Sequence, residues 1–417
     1  MNLKFHTPGG VTDYLPDEYM AKQDVERRLL RVFTGYAYRQ ISTPTFEYHD
    51  IYSGSSGDIA SDKLYRFFDA QGRILALRGD ITTSIARVMG TKWDRELPAR
   101  LCYVANAFRY NGSASTMPSE FTQAGIELIG DGSAGADAEA ILVAIDALKS
   151  AGLEEFQIDI GQVDFFKGLA EQIGLDADDT ERIRVLVDHK DSLSIAELAA
   201  GYNINEEIKG LLCDMPDLFG GVEVLSRAYS PYLNPRSKAA LDNLRAVYNI
   251  LAGCGLEKYI SIDLGMLQSL DYYTGVIFKG FTYDVGFSVC GGGRYDSLIQ
   301  NFGDSAAAVG IAISVNRVLS ALQRQKKPLQ TPITHALYYA GNDLAMAYKT
   351  GAALRKAGLI IENYTGGGAF EHAMDYAKAH GIDTVLMPTI GGGVSAYYTN
   401  GSRRLYAENE ITAGMQL

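Results

Sequence analysis

EFTQAGIELIG, Glu120 to Gly130, is the stretch on which the fold turns. The two-residue period of a strand places Phe121, Gln123, Gly125 and Glu127 on one face. Thr122, Ala124, Ile126 and Leu128 then fall on the other. A glutamine and a glutamate therefore share a face within an otherwise apolar segment. Such a face is either solvated, as antiparallel sheets often are, or the floor of a ligand site. Gly125, between the two polar residues, leaves space where a side chain would block approach. Residues Arg100–Tyr110 read as the neighbouring strand, joined to this one through the polar loop Asn111–Ser119.

Outward from this pair, strands and helices follow without a repeat. Apolar residues at helical spacing (Val25, Leu29, Leu30, Phe33) predict an amphipathic helix over Tyr19–Tyr38, ended near Gly35. Ile41–Tyr48 reads as a strand in which Pro44 suits an edge or a start. Short strands are expected at Leu64–Phe68 and Ile74–Arg78, a helix over Gly135–Ser150, and a strand in FQIDIGQVDFF before a helix beginning near Phe166. Leu175–Leu225 is helical and charged, in the manner of an insertion, and Ser237–Gly253 forms a long helix. Ala308–Leu322 is a strand running into a helix. A linker is expected at 323–331. Beyond it, HALYYAG, LIIENYT and TVLMPTI alternate with helices, which predicts a small α/β domain over 332–417 with a mostly parallel sheet.

Composition narrows the function classes. The chain has 417 residues, 47% hydrophobic and 21% charged, enough for two or three domains. No apolar run reaches the roughly 18 residues of a membrane span, and the N-terminus lacks a signal-peptide core. Cys102, Cys213, Cys254 and Cys290 are scattered, as reduced thiols of a cytoplasmic protein would be, with no metal-type pairing. Net charge is −12, and the one basic cluster, Arg324, Lys326 and Lys327, lies in the expected linker. Phosphate neutralisation dominates nucleic-acid affinity, so this balance leans against a nucleic-acid partner.

Three further residues stand where chemistry is possible. Asp80 and Thr82, in ALRGDITTS, follow a strand and are also good helix-capping types. Arg109 ends the first central strand, a position that equally suits a surface ion pair.

LRGDITTS, FRYN, FTQAGIELIG, LDYYTGVIF (Leu270–Phe278), GGGRYDSL (from Gly291) and VGIAISVNRV occur in an order and spacing that resemble the histidyl-tRNA synthetase core. The resemblance spans about residues 5–322, with the helical insertion at about 175–225, and reaches loosely into a degenerate anticodon-binding domain. It implies an α+β class II synthetase-like fold, an antiparallel sheet flanked by helices, with a homodimer interface built from the helix, turn and strand that end at Ile41–Tyr48 and resemble the first class II motif. It also implies a histidine pocket. Asp80, Thr82 and Gln123 would hold the ammonium group, Glu127 and Tyr273 the imidazole nitrogens, with Tyr272 and Tyr295 lining the pocket and Arg109 facing the carboxylate. Imidazole carries two polar nitrogens, so a selective pocket needs a partner for each.

The departures from that family are equally specific. Gln268 stands where the synthetases carry an essential arginine, at the edge of the histidine pocket, and no basic residue occurs from Tyr110 to Gln123. Arg317 of VGIAISVNRV, which resembles the third class II motif, is retained, but Ser314 replaces a glycine. Amino-acid activation needs cations placed against the moving phosphate charge. The pattern resembles the regulatory subunits of short-form ATP phosphoribosyltransferase, which keep the synthetase core and histidine site without aminoacylation. That resemblance implies no catalytic residue, no cofactor and no metal. It also implies a hetero-oligomer with the short catalytic subunit, and activation and histidine feedback inhibition in the first step of histidine biosynthesis. An active synthetase with unusual motifs is the competing expectation.

Overall fold

The computed structural model describes residues 3–52, 59, 61–111, 118–267, 272–283, 285–327, 335–389 and 393–407. Two compact units, Met1–Gln330 and Thr331–Leu417, account for the chain.

The first unit is built on a nine-stranded sheet. In chain order its strands are β1 (Arg39–Gln40), β2 (Ala99–Phe108), β3 (Glu120–Ile129), β4 (Phe156–Gln162), β5 (Phe219–Gly220), β6 (Ile260–Asp263), β7 (Val276–Thr282), β8 (Cys290–Arg294) and β9 (Ala308–Ser314). They lie in the order β1-β2-β3-β9-β8-β7-β4-β6-β5. The six strands from β2 to β4 are antiparallel throughout. Parallel pairings occur only further out, β1 with β2 and β4 with β6, so the sheet is mixed at its margins.

One face of this sheet carries the main core. Ala124, Ile126 and Leu128 of β3 are buried there with Val25, Leu29 and Phe33 of α1 (Pro16–Gly35) and the alanine-rich side of α3 (Ala134–Ala151). The alternation in EFTQAGIELIG thus sends its apolar half to the helices. The opposite face is the one that Gln123 and Glu127 share.

Several boundaries differ from the sequence expectation. Ile41–Tyr48 is not one strand: β1 joins the large sheet, and Phe46–Tyr48 joins a separate three-stranded sheet with Ile74–Leu77 and Arg66–Phe68. Pro44, with no N–H to give a ladder, sits at the crossing. The Arg78 guanidinium ties the crossing down by donating to the Thr43 and Pro44 carbonyls. Helix α4 (Val163–Ile173) begins three residues before Phe166, because the Gln162 side chain accepts the Asp164 N–H and caps it. The region 175–225 contains helices Ala177–Asp188, Ser192–Ala199 and Glu206–Asp214, and also the edge strand β5, which the sequence reading missed.

The second unit has a five-stranded sheet, β10 (His335–Tyr338), β11 (Ile360–Asn363), β12 (Thr384–Pro388), β13 (Val394–Tyr398) and β14 (Arg403–Tyr406), ordered β11-β10-β12-β13-β14. Only β10, β11 and β12 are parallel; β13 and β14 add an antiparallel hairpin. The expectation of a mostly parallel sheet is therefore corrected to an even division. Its signal was available: Asn400-Gly401 stands between Tyr397-Tyr398 and Arg403–Tyr406, and Gly401 takes the positive φ of 90° that such a turn requires.

Candidate functional site

Strand register builds the site. On the face away from α1 and α3, Tyr103, Gly125, Ala312, Gly291 and Lys279 stand side by side across β2, β3, β9, β8 and β7. One step along, Glu127, Gly310, Gly293 and Ile277 form a second row. The centre of both rows is glycine and alanine, so the sheet backbone itself is the floor. At Gly125, Gly293 and Gly310 larger residues cannot stand without displacing a neighbour. A Cβ at Gly310 would collide with the Glu127 carboxylate, and one at Gly293 would approach the Tyr273 ring to 2.8 Å.

Above this floor opens a cavity of about 380 Å³. Asp80, Thr82, Arg109, Gln123, Tyr272 and Tyr273 line it, together with Phe121, Lys279, Cys290, Ser314 and Arg317. Thr82 arrives on helix α2 (Thr82–Thr91), and Asp80 accepts the Thr83 N–H at 2.8 Å, so the capping role of Asp80 coexists with its place on the wall. Gln123 presents a side-chain oxygen that is shielded from water and has no hydrogen-bond partner among the described residues.

Glu127 and Tyr295 are held differently from the other expected residues. They lie beneath the cavity wall, not on it. Glu127 is 1% exposed. One carboxylate oxygen accepts from Thr82 Oγ1 at 2.7 Å, and the other pairs with the Tyr295 hydroxyl. Tyr272 stacks on Tyr295 with ring centres 5.7 Å apart and meets Tyr273 edge-on at 4.8 Å. Burial pushes Glu127 up to about 8, against the pull of the Tyr295 and Thr82 hydrogen bonds, and the charge of Asp80 adds to the rise. Gln268 lies outside the described residues.

The far side of the cavity is cationic. Arg109 donates from Nε to the Gly79 carbonyl at 2.9 Å and lies over the Phe121 ring. Arg317 donates to the Ser288 carbonyl at 2.7 Å and lies over Phe287. Burial and the neighbouring Arg109 charge both hold Arg317 below the usual arginine range. Among the described residues no cluster of histidine, cysteine, aspartate and glutamate is arranged to hold a metal.

The histidyl-tRNA synthetase family profile matches residues 10–318. Over 385 residues the chain is 47% identical to the ATP phosphoribosyltransferase regulatory subunit of Acetivibrio thermocellus, covering 92% of each. The chain belongs to the ATP phosphoribosyltransferase regulatory subunit family. A relative of the same name from a Thermoanaerobacter species is 45% identical, over 91% of this chain and 96% of that one. The members are named as regulatory subunits, which places this chain among non-catalytic proteins on a synthetase scaffold. A Bacillus halodurans crystal structure described as an ATP phosphoribosyltransferase regulatory subunit/histidyl-tRNA synthetase superposes with a TM-score of 0.79 at 30% identity, covering 89% of this chain and 96% of that one. The histidyl-tRNA synthetase of Nostoc sp. PCC 7120 shares the fold, with a TM-score of 0.80 at 20% identity over 99% of both chains.

Within this regulatory family member, Lys279 and Cys290 are cavity residues that sequence reasoning did not single out. Lys279 had a readable signal, since strand period places it one row from Ile277 in VIFKGF. Cys290 had none; its buried thiol is pushed up to about 12 and serves as packing. No helix among the described residues is long and apolar enough to cross a membrane.

Proposed function

We propose that this chain is the histidine-sensing regulatory subunit of short-form ATP phosphoribosyltransferase, binding L-histidine in the cavity over β3 and conferring activation and feedback inhibition on the catalytic subunit. The observation that carries this reading is the partnerless Gln123 oxygen beside Asp80 and Thr82. A shielded acceptor without a donor is costly, and an α-ammonium group supplies donors for all three residues. The phenol and carboxyl groups of Tyr273, Tyr295 and Glu127 suit a ring with two polar nitrogens. Arg109 suits the carboxylate. For histidine to regulate, it must bind one state of the complex better than another.

Calorimetry tests the pocket. Wild-type protein binds L-histidine, and Gln123→Ala binds it roughly 10- to 100-fold more weakly, the equivalent of a charged hydrogen bond worth about 1.5–3 kcal/mol. Mixed with the short catalytic subunit, wild-type protein copurifies and confers inhibition by histidine. The Gln123→Ala complex retains phosphoribosyltransferase activity at histidine concentrations that silence the wild type. A folded wild type that ignores histidine, or that joins no catalytic subunit, removes the assignment.

The core is further proposed to form a homodimer. Phe46, Tyr48, Phe67, Phe68 and Ile74 of the three-stranded sheet are exposed together, and such apolar patches mark association surfaces. Light scattering on Phe68→Glu is expected to report a monomer where the wild type reports a dimer; unchanged mass would move the interface elsewhere.

A further inference from the structure

Among the described residues, the carboxyl of Glu127 is enclosed by hydroxyls and by no cation. Tyr295 contacts it from the turn after β8 and Thr82 from the start of α2, and the buried Tyr103 of β2 feels its charge. Asp80 on the same turn as Thr82, and Tyr38 behind the sheet, are the other titratable groups that act on it or are acted on by it. Gly310 and Gly293 on β9 and β8 add no side chain. Among the described residues, no lysine or arginine influences it. A hydroxyl donates or accepts, so the same enclosure serves a protonated acid as well as a carboxylate. An ionised carboxylate buried without a countercharge is far costlier than the neutral acid. Thr82 is both a wall of the cavity and the partner of Oε1 at 2.7 Å. A ring seated beside Thr82 therefore lies next to the Glu127 carboxyl.

We propose that Glu127 stands as the neutral acid before ligand binds, and that the pocket takes its azole ligand neutral as well, with the acid proton donated to the lone-pair nitrogen of the ring. The inference rests on the reading of the cavity as a histidine site. Atoms balance within the pair: one proton, initially on a Glu127 oxygen, is shared with or passed to the ring nitrogen, and none is exchanged with solvent. The upward-shifted Glu127, near 8, and an imidazole near 6.5 leave a window between those values in which both partners are neutral. Below the window the free imidazole charges. Above it Glu127 loses its proton, and each limb weakens binding about tenfold per pH unit.

The test compares histidine affinity of wild-type full-length chain with that of Glu127→Gln at pH 5.5, 7.2 and 9.0. Glutamine also offers a neutral donor, so the ratio of the two affinities cancels the titration of the ligand itself. The ratio is expected to stay level from pH 5.5 to 7.2 and to fall roughly tenfold by pH 9.0, as the acid near 8 ionises. A carboxylate pairing with imidazolium would instead drop the ratio more than about tenfold between pH 5.5 and 7.2. That drop, or a ratio level to pH 9.0, overturns the proposal. Tyr295→Phe removes a donor to the carboxylate form and so shifts the upper limb to higher pH; an unmoved limb also counts against it. Should Glu127→Gln not fold, the infrared carbonyl band of a protonated carboxyl in wild type, present at pH 7 and lost above pH 9, decides the point. Absence of histidine binding at every pH would overturn the histidine reading itself, an outcome distinct from a binding protein with the wrong profile.

Discussion

Purified protein supplied with L-histidine, ATP and pyrophosphate yields no histidine-dependent exchange of pyrophosphate into ATP. Adenylate formation moves negative charge through the phosphates, and loss of one preorganised donor for such charge costs about 10²–10³ in rate. This chain lacks two sources of cations at once. Gln268 occupies the position before LDYY, and the segment 110–123 contains no basic residue. The cationic residues that line the cavity are Arg109, Lys279 and Arg317. Arg109 and Arg317 already donate to the Gly79 and Ser288 carbonyls. Two independent losses of this size put exchange about 10⁴ or more below a working synthetase. Gln268→Arg alone does not rescue it, because the loop still lacks its cations. Robust exchange by the wild type would return the chain to the synthetases and defeat the regulatory reading.

Asp137→Ala is expected to destabilise the first unit by about 3–5 kcal/mol, the cost of leaving one partner of a buried ion pair behind. Arg294 follows the glycines of GGGRYD and is buried. It meets Asp137 of α3 at 2.7 Å, where the two side chains are 7% and 1% exposed. The Asp131 carbonyl and half-exposed Asp296, at 3.2 Å each, and the Ser133 carbonyl at 3.4 Å also accept from it. Removing Asp137 strands the guanidinium between the sheet and the helix. Asp296→Asn is the comparison: its carboxylate faces solvent, so the loss should stay near 1 kcal/mol. Urea midpoints for the three proteins check the order, and equal midpoints for Asp137→Ala and wild type would show that the pair contributes nothing net.

How much of this was readable beforehand depends on the range of the interaction concerned. The face carrying Gln123 and Glu127 followed from period two alone, and β3 obeys it, with Ala124, Ile126 and Leu128 turned to the helices. Helix α1 ended at Gly35, as its apolar spacing indicated. The failures involve partners distant in sequence. Nothing near Thr43 announces that Arg78, 35 residues on, will fasten the crossing between two sheets. For Glu127, expected as a partner of an imidazole nitrogen, the sequence does not disclose the hydroxyls that hold it beneath the cavity wall: they come from Thr82 and Tyr295, 45 residues before and 168 after. Edge strand β5 is two residues long and pairs only with β6, too short for any periodicity to register.

The glycine floor has a consequence for anyone who would map this cavity by mutagenesis. Replacing a residue by alanine normally subtracts atoms and asks what they did. At Gly125, Gly293 and Gly310 the same replacement adds an atom where a phenol, a ring or a carboxyl already stands. An alanine scan would therefore report the deepest part of the chamber as a set of obstructions, with the sign of the experiment reversed. Walls such as Gln123 can drift by trading one side chain for another, whereas the bottom is fixed by how five strands are aligned. Enlarging the chamber for a bulkier ligand must accordingly proceed sideways, through Phe121 or Tyr272, because at the glycines of the floor there is no side chain left to take away.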